Sequence, residues 1–254
     1  RFASTGRNQR TRVKRASSNS RAFRMAADWR RFAGSLDSIA RLRSYPELKE
    51  CEIIIMLDGV RAEQEHRRDD YEEYKRRLSW LRLHNVRLME FPKHSHQATM
   101  TREALETVKT SIVYFVEHDT YAFGEIPWRP FIHIMNADVP VIRLHIFHEI
   151  LPVHAHLYHE RENIGGVPLV RTTQWSQRPH LALTDYYKRI MADFFPPDSI
   201  TMIEDRMVSP ATTLGWDRFR LRVYAPDGDM TRSGTHDGRQ GDPKYPMWWD
   251  GEWR

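Results

Sequence analysis

Cysteine and long apolar runs are scarce in this sequence, and each scarcity excludes a class of protein. Cys51 is the only cysteine in 254 residues, so no disulfide can form within the chain and a reducing compartment is favoured. No apolar run approaches the roughly 20 residues of a membrane-spanning helix, and the first residues do not combine a basic end with an apolar signal core. We therefore expect a cytoplasmic protein without a transmembrane segment, in solution or at the surface of a membrane.

Charge of one sign is also in short supply. The chain has 39 basic and 34 acidic residues, a net charge of +5 with neutral histidines. This excess favours anionic ligands without requiring nucleic acid. Residues 1–24 are rich in Arg, Ser and Asn and lack an apolar period, which predicts a basic loop or disordered arm. A nucleic-acid-binding protein that acts through this arm is one alternative function.

Apolar runs alternate with amphipathic segments through most of the chain. CEIIIMLDG, VRLMEF and IVYFVEHD predict strands, and DDYEEYKRRLSWLRLHN and REALETVKT between them predict helices. Further on, HLALTDYYKRIMADFF predicts a helix, VIRLHIF a strand, and RFRLRVYAP a half-exposed strand with its arginines on the open side. We expect one α/β domain over residues 25–240, with a mostly parallel central sheet and helices on both faces, and a Trp-rich tail over residues 241–254.

Acidic side chains stand at the ends of two predicted strands. Asp58 ends the first strand, and Glu117 and Asp119 flank a histidine at the end of IVYFVEHD. Ligands of open α/β sheets gather at the carboxyl ends of strands, and paired carboxylates there can hold a hard divalent cation with its phosphate ligands. The alternative is that these acids end the strands simply to reach water.

Three later segments extend this pattern. Gly165 and Gly166 supply flexible backbone suited to a phosphate, or to an ordinary turn. Glu204 and Asp205 stand beside apolar residues, as a carboxylate on a half-buried segment would. The late segment RSGTHDGR offers His236 as a third metal ligand, with an aspartate and an arginine beside it.

In this order the motifs resemble those of metal-dependent glycosyltransferases with the GT-A fold, above all the small ones of bacteria and large algal viruses. The order is LDG, EHD, IGG, IED and THDGR, and the resemblance spans roughly residues 28–240. It implies a Rossmann-like sheet with a small antiparallel extension. Glu117 stands where the family more often has Asp, which leaves open whether it binds the metal or the ribose.

The resemblance also implies a substrate, a cofactor and a set of site residues. The donor would be a nucleotide-diphosphate sugar, with UDP as the default base, and the acceptor a hydroxyl of a glycan or glycoconjugate. The metal, Mn²⁺ or Mg²⁺, would be held by Asp119 with Glu117 and His236. The residues implied in donor binding are Asp58, Glu117, Gly165, Gly166, Trp175 and Arg239.

A carboxylate base would remove the proton of the acceptor hydroxyl as that hydroxyl attacks the sugar. Asp205 is the candidate base, with Glu204 orienting or replacing it, and we favour inversion of the anomeric centre. Trp175 could stack on a sugar ring, although an aromatic residue at such a position is more often part of the core.

Five histidines in HIFHEILPVHAHLYHE raise a second alternative function, a metallohydrolase. The pattern HIFHE does not match H-E-x-x-H, in which two histidines one helical turn apart face one metal. These histidines are His145, His148, His154, His156 and His159.

Overall fold

The computed structural model describes residue 36 and residues 39–117, 120–145, 150–226 and 232–235. The predicted N-terminal arm and the Trp-rich tail lie outside these ranges. The strands are β1 Ile53–Leu57, β2 Val86–Glu90, β3 Ile112–Phe115, β4 Thr120–Ala122, β5 Val141–Arg143, β6 Tyr158–Ile164, β7 Val167–Thr172, β8 His180–Leu183, β9 Leu221–Tyr224 and β10 Ser233–Thr235. The α-helices are α1 Arg68–Trp80, α2 His96–Thr107, α3 Trp128–Ile134, α4 Thr184–Phe194, α5 Ile203–Leu214 and α6 Trp216–Phe219.

Shorter helical segments complete the described part. Two 3₁₀-helices span Ala62–Arg67 and Pro152–Leu157, and a helical stretch over residues 39–44 precedes β1. Within the part of the chain that the structure describes, no helix is both long and apolar enough to cross a bilayer.

The strands form three sheets, and the largest is mixed rather than mostly parallel. β1 pairs with β2 in parallel, and β4 pairs with β10 in antiparallel orientation. The six-stranded sheet has the order β3-β8-β5-β9-β7-β6, in which β5 and β9 are parallel and every other neighbouring pair is antiparallel. The predicted α/β class is confirmed, and the prediction of a mostly parallel sheet is wrong for this central sheet.

The antiparallel pairs of the central sheet involve strands that were not predicted from the sequence. HLALTDYYKRIMADFF is not one helix, because its first four residues form β8 between β3 and β5. The backbone at Leu183 is extended, and α4 begins at Thr184 without an intervening glycine or proline to mark the change. The hairpin of β6 and β7 was not predicted either.

Strand β9 is buried along its whole length, so the prediction of a half-exposed strand is wrong. All four of its residues are buried, because β9 lies between β5 and β7 inside the sheet. Arg222 is only 3% exposed, and its guanidinium forms an ion pair with Glu162. Arg220 adopts a left-handed conformation before the strand, with φ +53°. Alternating arginines here therefore do not mark a solvent-facing side.

Helices cover both faces of the six-stranded sheet, as predicted. On one face, Ile142 of β5 packs with Trp128 and Phe131 of α3. On the other, the neighbouring Val141 packs with residues of α2, α4 and α5, among them Tyr187 and Met207. Alternate residues of one central strand thus enter two cores, as a strand covered on both sides requires. The second core lies beside the candidate site.

Candidate active site

Glu117 follows β3 and is tied to two helices through one side chain. The amide Nε2 of Gln97, in the first turn of α2, donates to Glu117 Oε1 at 2.6 Å. The Oε1 atom of the same glutamine accepts the backbone N–H of Ile203, the first residue of α5, at 2.8 Å. Gln97 is 8% exposed, so this bridge is shielded from water. The carboxyl end of β3 and the first turns of α2 and α5 therefore form one connected unit.

The two acids predicted as base and orienting group lie in the first turn of α5. Negative side chains are favourable there, because the helix dipole and the unpaired N–H groups attract them. Glu204 is half-buried, and its Oε2 accepts the backbone N–H of Gln177 at 2.9 Å. Asp205 is exposed. The structure therefore brings Glu204 and Asp205 to the end of α5 that Gln97 links to Glu117.

Tyr187 of α4 is hydrogen-bonded to Gln177, the residue whose N–H binds Glu204. Its hydroxyl donates to Gln177 Oε1 at 3.4 Å, and its side chain is 1% exposed. Burial raises the pKa of Tyr187 strongly, the bond to Gln177 lowers it, and the negative charge of Glu117 raises it further. The phenol therefore stays protonated at neutral pH and acts as a hydrogen-bond donor beside the acids.

The pairing of β4 with β10 brings two distant parts of the chain together next to Glu117. The backbone N–H of Thr120 donates to the Glu117 carbonyl at 3.1 Å, and Thr120 pairs with Thr235 in the ladder. Strand β10 is also held at its start, where the Ser233 N–H donates to the carbonyl of His145 at 3.1 Å. The predicted ligands Asp119 and His236, which adjoin Thr120 and Thr235 in the sequence, lie outside the described residues, as does Arg239.

A metal centre made of described residues alone is absent. Within residues 39–117, 120–145, 150–226 and 232–235, no group of three or more His, Cys, Asp or Glu side chains could hold a metal ion. The histidine-rich segment forms no such group there: His145 is buried with its Nε2 at 3.1 Å from the Tyr158 hydroxyl, and His156 and His159 are exposed. His148 lies outside the described residues.

Asp58 holds the loop that begins α2. Its carboxylate accepts the backbone N–H groups of Ser95 at 2.7 Å and His96 at 3.1 Å. The following Gly59 packs against the same loop, and a Cβ added there would lie 2.2 Å from the backbone carbon of Lys93. The LDG motif thus joins the end of β1 to the start of α2, and a contact of Asp58 with a nucleotide stays a prediction.

Gly165 and Gly166 form the two-residue turn of the β6–β7 hairpin. Ile164 and Val167 pair on either side of the turn, and the two glycines have φ +59° and +85°, as a type I′ turn requires. β6 is the edge strand opposite β3, so five strand intervals, roughly 24 Å, separate the turn from the Glu117 edge. The structure therefore does not bring these glycines to Glu117.

Trp175 is a core residue. It is 4% exposed, its ring stacks on Tyr187 with centroids 6.5 Å apart, and it meets Phe219 edge-on. Because the ring is covered, the core alternative describes it better than stacking on a sugar.

No protein-family model matches this chain, and no curated protein matches it significantly. S. aureus TarS 1-349 resembles this chain with a TM-score of 0.47 and 15% identity, over 78% of this chain and 55% of that one. GalNAc-T7 with UDP, GalNAc and Mn²⁺ resembles it with a TM-score of 0.47 and 10% identity, over 79% of this chain and 40% of that one. The Pyrobaculum calidifontis mannosyltransferase PcManGT with GDP-Man and Mn²⁺ resembles it with a TM-score of 0.45 and 14% identity, over 78% of this chain and 54% of that one.

The chain thus spans about half the length of the structures that it resembles. One of them is a mannosyltransferase.

Several polar residues of this region were missed by sequence reasoning. His94 Nδ1 lies 2.6 Å from Asp58 Oδ2, and Arg61 Nη2 lies 3.3 Å from His96 Nε2. His96 has a left-handed backbone, with φ +59°, and burial followed by the charge of Arg61 lowers its pKa. The segment KHSHQ begins three residues after the end of β2, so the rule about strand ends that selected Asp58 would have selected these residues too.

Proposed function

We propose that this protein is a divalent-metal-dependent glycosyltransferase. It would move a sugar from a nucleotide diphosphate, by default a UDP-sugar, to a hydroxyl of a glycan or glycoconjugate. The observation that carries the proposal is the pairing of β4 with β10, because Thr120 and Thr235 adjoin the predicted ligands Asp119 and His236 in the sequence. Glu117 lies three residues before Thr120, and its carbonyl accepts the Thr120 N–H at 3.1 Å, so the ladder supports a shared site for the three predicted ligands.

The proposed ligands suit Mn²⁺ or Mg²⁺. Glu117 and Asp119 would contribute carboxylate oxygens and His236 an imidazole nitrogen, a donor set that Mn²⁺ accepts readily. Gln97 donates to Glu117, and such outer hydrogen bonds orient a ligating carboxylate. When bound, the metal would neutralise the negative charge that develops on the leaving diphosphate.

The first turn of α5 would supply the base. Asp205 is proposed to accept the proton of the acceptor hydroxyl, which then bonds to the anomeric carbon as the bond from that carbon to the diphosphate breaks. Attack from the face opposite the diphosphate inverts the centre. Glu204 is proposed to hold this turn in place, since its carboxylate is bonded to the backbone of Gln177.

The donor-binding residues proposed from the described part are Asp58 and Glu117. Asp58 would act by positioning the loop at the start of α2, and Arg239 stays a prediction from the sequence. We do not include Gly165, Gly166 or Trp175, because the glycines form a hairpin turn at the far edge of the sheet and the tryptophan is buried.

Calorimetric titration with UDP, GDP and dTDP, each with and without Mn²⁺, tests the proposal. We expect one nucleotide to bind only with Mn²⁺, and this binding to be lost in Asp119→Ala. Asp198→Ala is the matched control, because Asp198 is an exposed acid in a turn after α4, and it should bind as the wild type does. Failure of all three nucleotides to bind folded protein would overturn the proposal.

A further inference from the structure

The carboxyl end of α1 exposes two consecutive apolar side chains. Trp80, the last residue of the helix, is 69% exposed, and the following Leu81 is 39% exposed. Within the described ranges, no large apolar side chain is more exposed than Trp80. The guanidinium of Arg76 lies over its ring, with Cζ 3.7 Å from the centroid. One face of the indole is therefore covered by a cation, and the rest of the ring is open to solvent.

Arg82 extends this surface from a backbone conformation that L side chains rarely adopt. It is exposed, has φ +42°, and directly follows Leu81, the C-cap of α1. Glycine is the usual residue at such a position, because it has no Cβ to strain a left-handed backbone. The chain therefore presents an arginine beside the two apolar residues at a position where glycine would be less strained.

Two loops place further cations beside this helix end. Arg43 joins them, since its guanidinium donates to the carbonyl of Cys51 at 2.8 Å and to that of His84 at 2.9 Å. Lys49, in the first of these loops, is exposed. No ion pair among the described residues includes Arg43, Lys49 or Arg82. These three side chains therefore keep their positive charge available in this part of the chain.

The acids of the first loop already have basic neighbours. Glu50 Oε2 lies 3.4 Å from His84 Nε2, and Glu52 Oε1 accepts from Arg87 Nε at 2.8 Å. We call Trp80, residues 81–85 and residues 49–52, with the arginines bonded to them, the helix-end surface. With neutral histidine its net charge is +2, from four basic and two acidic side chains: Arg43, Lys49, Arg82 and Arg87, and Glu50 and Glu52.

We propose that the helix-end surface binds the anionic surface of a phospholipid bilayer. Tryptophan suits the headgroup layer, because its ring is apolar and its N–H still finds an acceptor there. Arginine stems lie along apolar groups while their heads reach lipid phosphates, and anionic lipids attract the net positive charge. The proposal is independent of the proposed sugar transfer, since residues 49–52 precede β1 and Asp58 lies at its opposite end.

A protein partner or a nucleic acid fits this surface less well. A stable protein interface takes about 20 residues a side, whereas the apolar part here is two side chains. Single-stranded nucleic acid would stack its bases on an open aromatic face, but Arg76 already covers one face of Trp80. A bilayer requires neither a wide apolar patch nor a free ring face.

Sedimentation of the full chain with vesicles tests the proposal. Vesicles of phosphatidylglycerol and phosphatidylcholine in equal parts should bind the protein at low ionic strength, less so as salt is added, and vesicles of phosphatidylcholine alone should not. Trp80→Ser should weaken binding roughly tenfold, because the indole is the larger apolar anchor. Arg82→Gly should weaken it about fivefold, through the loss of one charge near an anionic surface.

Both substitutions leave folding testable. The two positions are exposed, and glycine relieves the left-handed backbone at position 82, so neither variant should have a lower Tm than the wild type. Val153→Ser and Arg220→Gly are the matched controls. Val153 is 68% exposed in the 3₁₀-helix before β6, and Arg220 has φ +53° before β9. Both controls should bind vesicles as the wild type does.

Three results would overturn the proposal. The first is no binding of the folded wild type to the anionic vesicles. The second is unchanged binding in the double variant Trp80→Ser, Arg82→Gly, since the basic residues 1–24 would then account for it. The third is binding of a single-stranded oligonucleotide that Trp80→Ser weakens, without binding to vesicles, which would assign the helix-end surface to nucleic acid.

Discussion

The two edges of the six-stranded sheet carry predicted motifs of the same family, yet they are built differently. At the β3 edge, Glu117 is bonded to Gln97, which is bonded in turn to the first turn of α5. At the β6 edge, Gly165 and Gly166 make a hairpin turn, and the Gly166 N–H donates to Oδ1 of Asn163. Three elements converge on the first edge and only two adjacent strands meet at the second.

This difference shows that the order of motifs along a chain does not decide which of them share a site. IGG and IED both follow EHD in sequence, but only the segment of Glu204 reaches the acid through a continuous chain of hydrogen bonds. The reason is topological: β3 and β6 are the two edge strands of the sheet, and β8, β5, β9 and β7 lie between them. The comparison predicts that substitutions at the two edges have unequal effects.

The largest effect should follow loss of the bridge at the β3 edge. Gln97→Leu leaves one oxygen of Glu117 without this donor and the buried N–H of Ile203 without its acceptor. Each loss should cost about 2 kcal/mol, so the free energy of unfolding should fall by about 4 kcal/mol. Urea denaturation measures this loss. Gln64→Leu, on the exposed face of a 3₁₀-helix, should change stability little. Equal effects of the two substitutions would mean that the bridge contributes nothing.

The next effect concerns pH and His180, the neighbour of β3 in the sheet. Its pKa is about 4 in the folded protein against an ordinary value of 6.5, so the unfolded chain takes up the proton first as the pH falls. The contribution of His180 to the free energy of unfolding is therefore complete above about pH 6.5, and about 3 kcal/mol of it is lost towards pH 4.

Denaturation curves at pH 7 and pH 4 test this expectation. His180→Gln should be less sensitive to acid than the wild type by about that amount, whereas the exposed His133→Gln should match the wild type. A variant at position 180 with the acid sensitivity of the wild type would contradict a neutral, buried imidazole.

A smaller effect is expected on ligand binding when Glu117 is neutralised. Glu117→Gln keeps the size of the side chain but removes its charge, so the affinity for the nucleotide with Mn²⁺ should fall about 10- to 100-fold, the range seen when groups around a metal are altered. Glu160→Gln, an exposed acid of the β6 edge, is the control and should leave affinity unchanged. Calorimetry measures both, and an unaltered affinity in Glu117→Gln would exclude it as a ligand.

The smallest effect should come from the hairpin turn. Gly166→Ala places a side chain at φ +85° in open space, which should cost about 1 kcal/mol of stability through backbone strain alone. Nucleotide binding should be unaffected, because the turn lies at the far edge. A fall in nucleotide affinity, measured by the same titration, would show that the two edges share a ligand after all.

Hydrophobic periodicity correctly predicted the strands and helices that are bounded by clear breaks in the apolar pattern. The runs that became β1, β2 and β3, and the stripe that became α1, lie as expected because each is a single element between clear boundaries. Strand β8 was missed because its three apolar residues, Leu181 to Leu183, continue without a break into the apolar stripe of α4. Strand β6 was missed because YHERENI is mostly exposed at the edge of the sheet and so has little apolar character.

Some residues of the candidate site were likewise predicted from the sequence and others were missed. Glu117 and Glu204 were predicted because charged groups beside apolar runs stand out in a sequence. Gln97 and Tyr187 were not, because a neutral side chain acquires its role only from partners that are distant in the chain, such as Ile203 at 106 residues from Gln97. Arg222 was placed on a solvent-facing side for a related reason, since its acid, Glu162, is 60 residues away.

The insertion of β9 between β5 and β7 has a consequence for how the protein is made. Chain synthesis delivers β5 and β7 long before Leu221–Tyr224, so both strands emerge from the ribosome with an unpaired edge where β9 belongs. Such edges readily recruit other strands, and pairings between distant segments form slowly. The nascent chain is therefore exposed to aggregation until Tyr224 emerges, and a chaperone that covers these edges should raise the yield of folded protein.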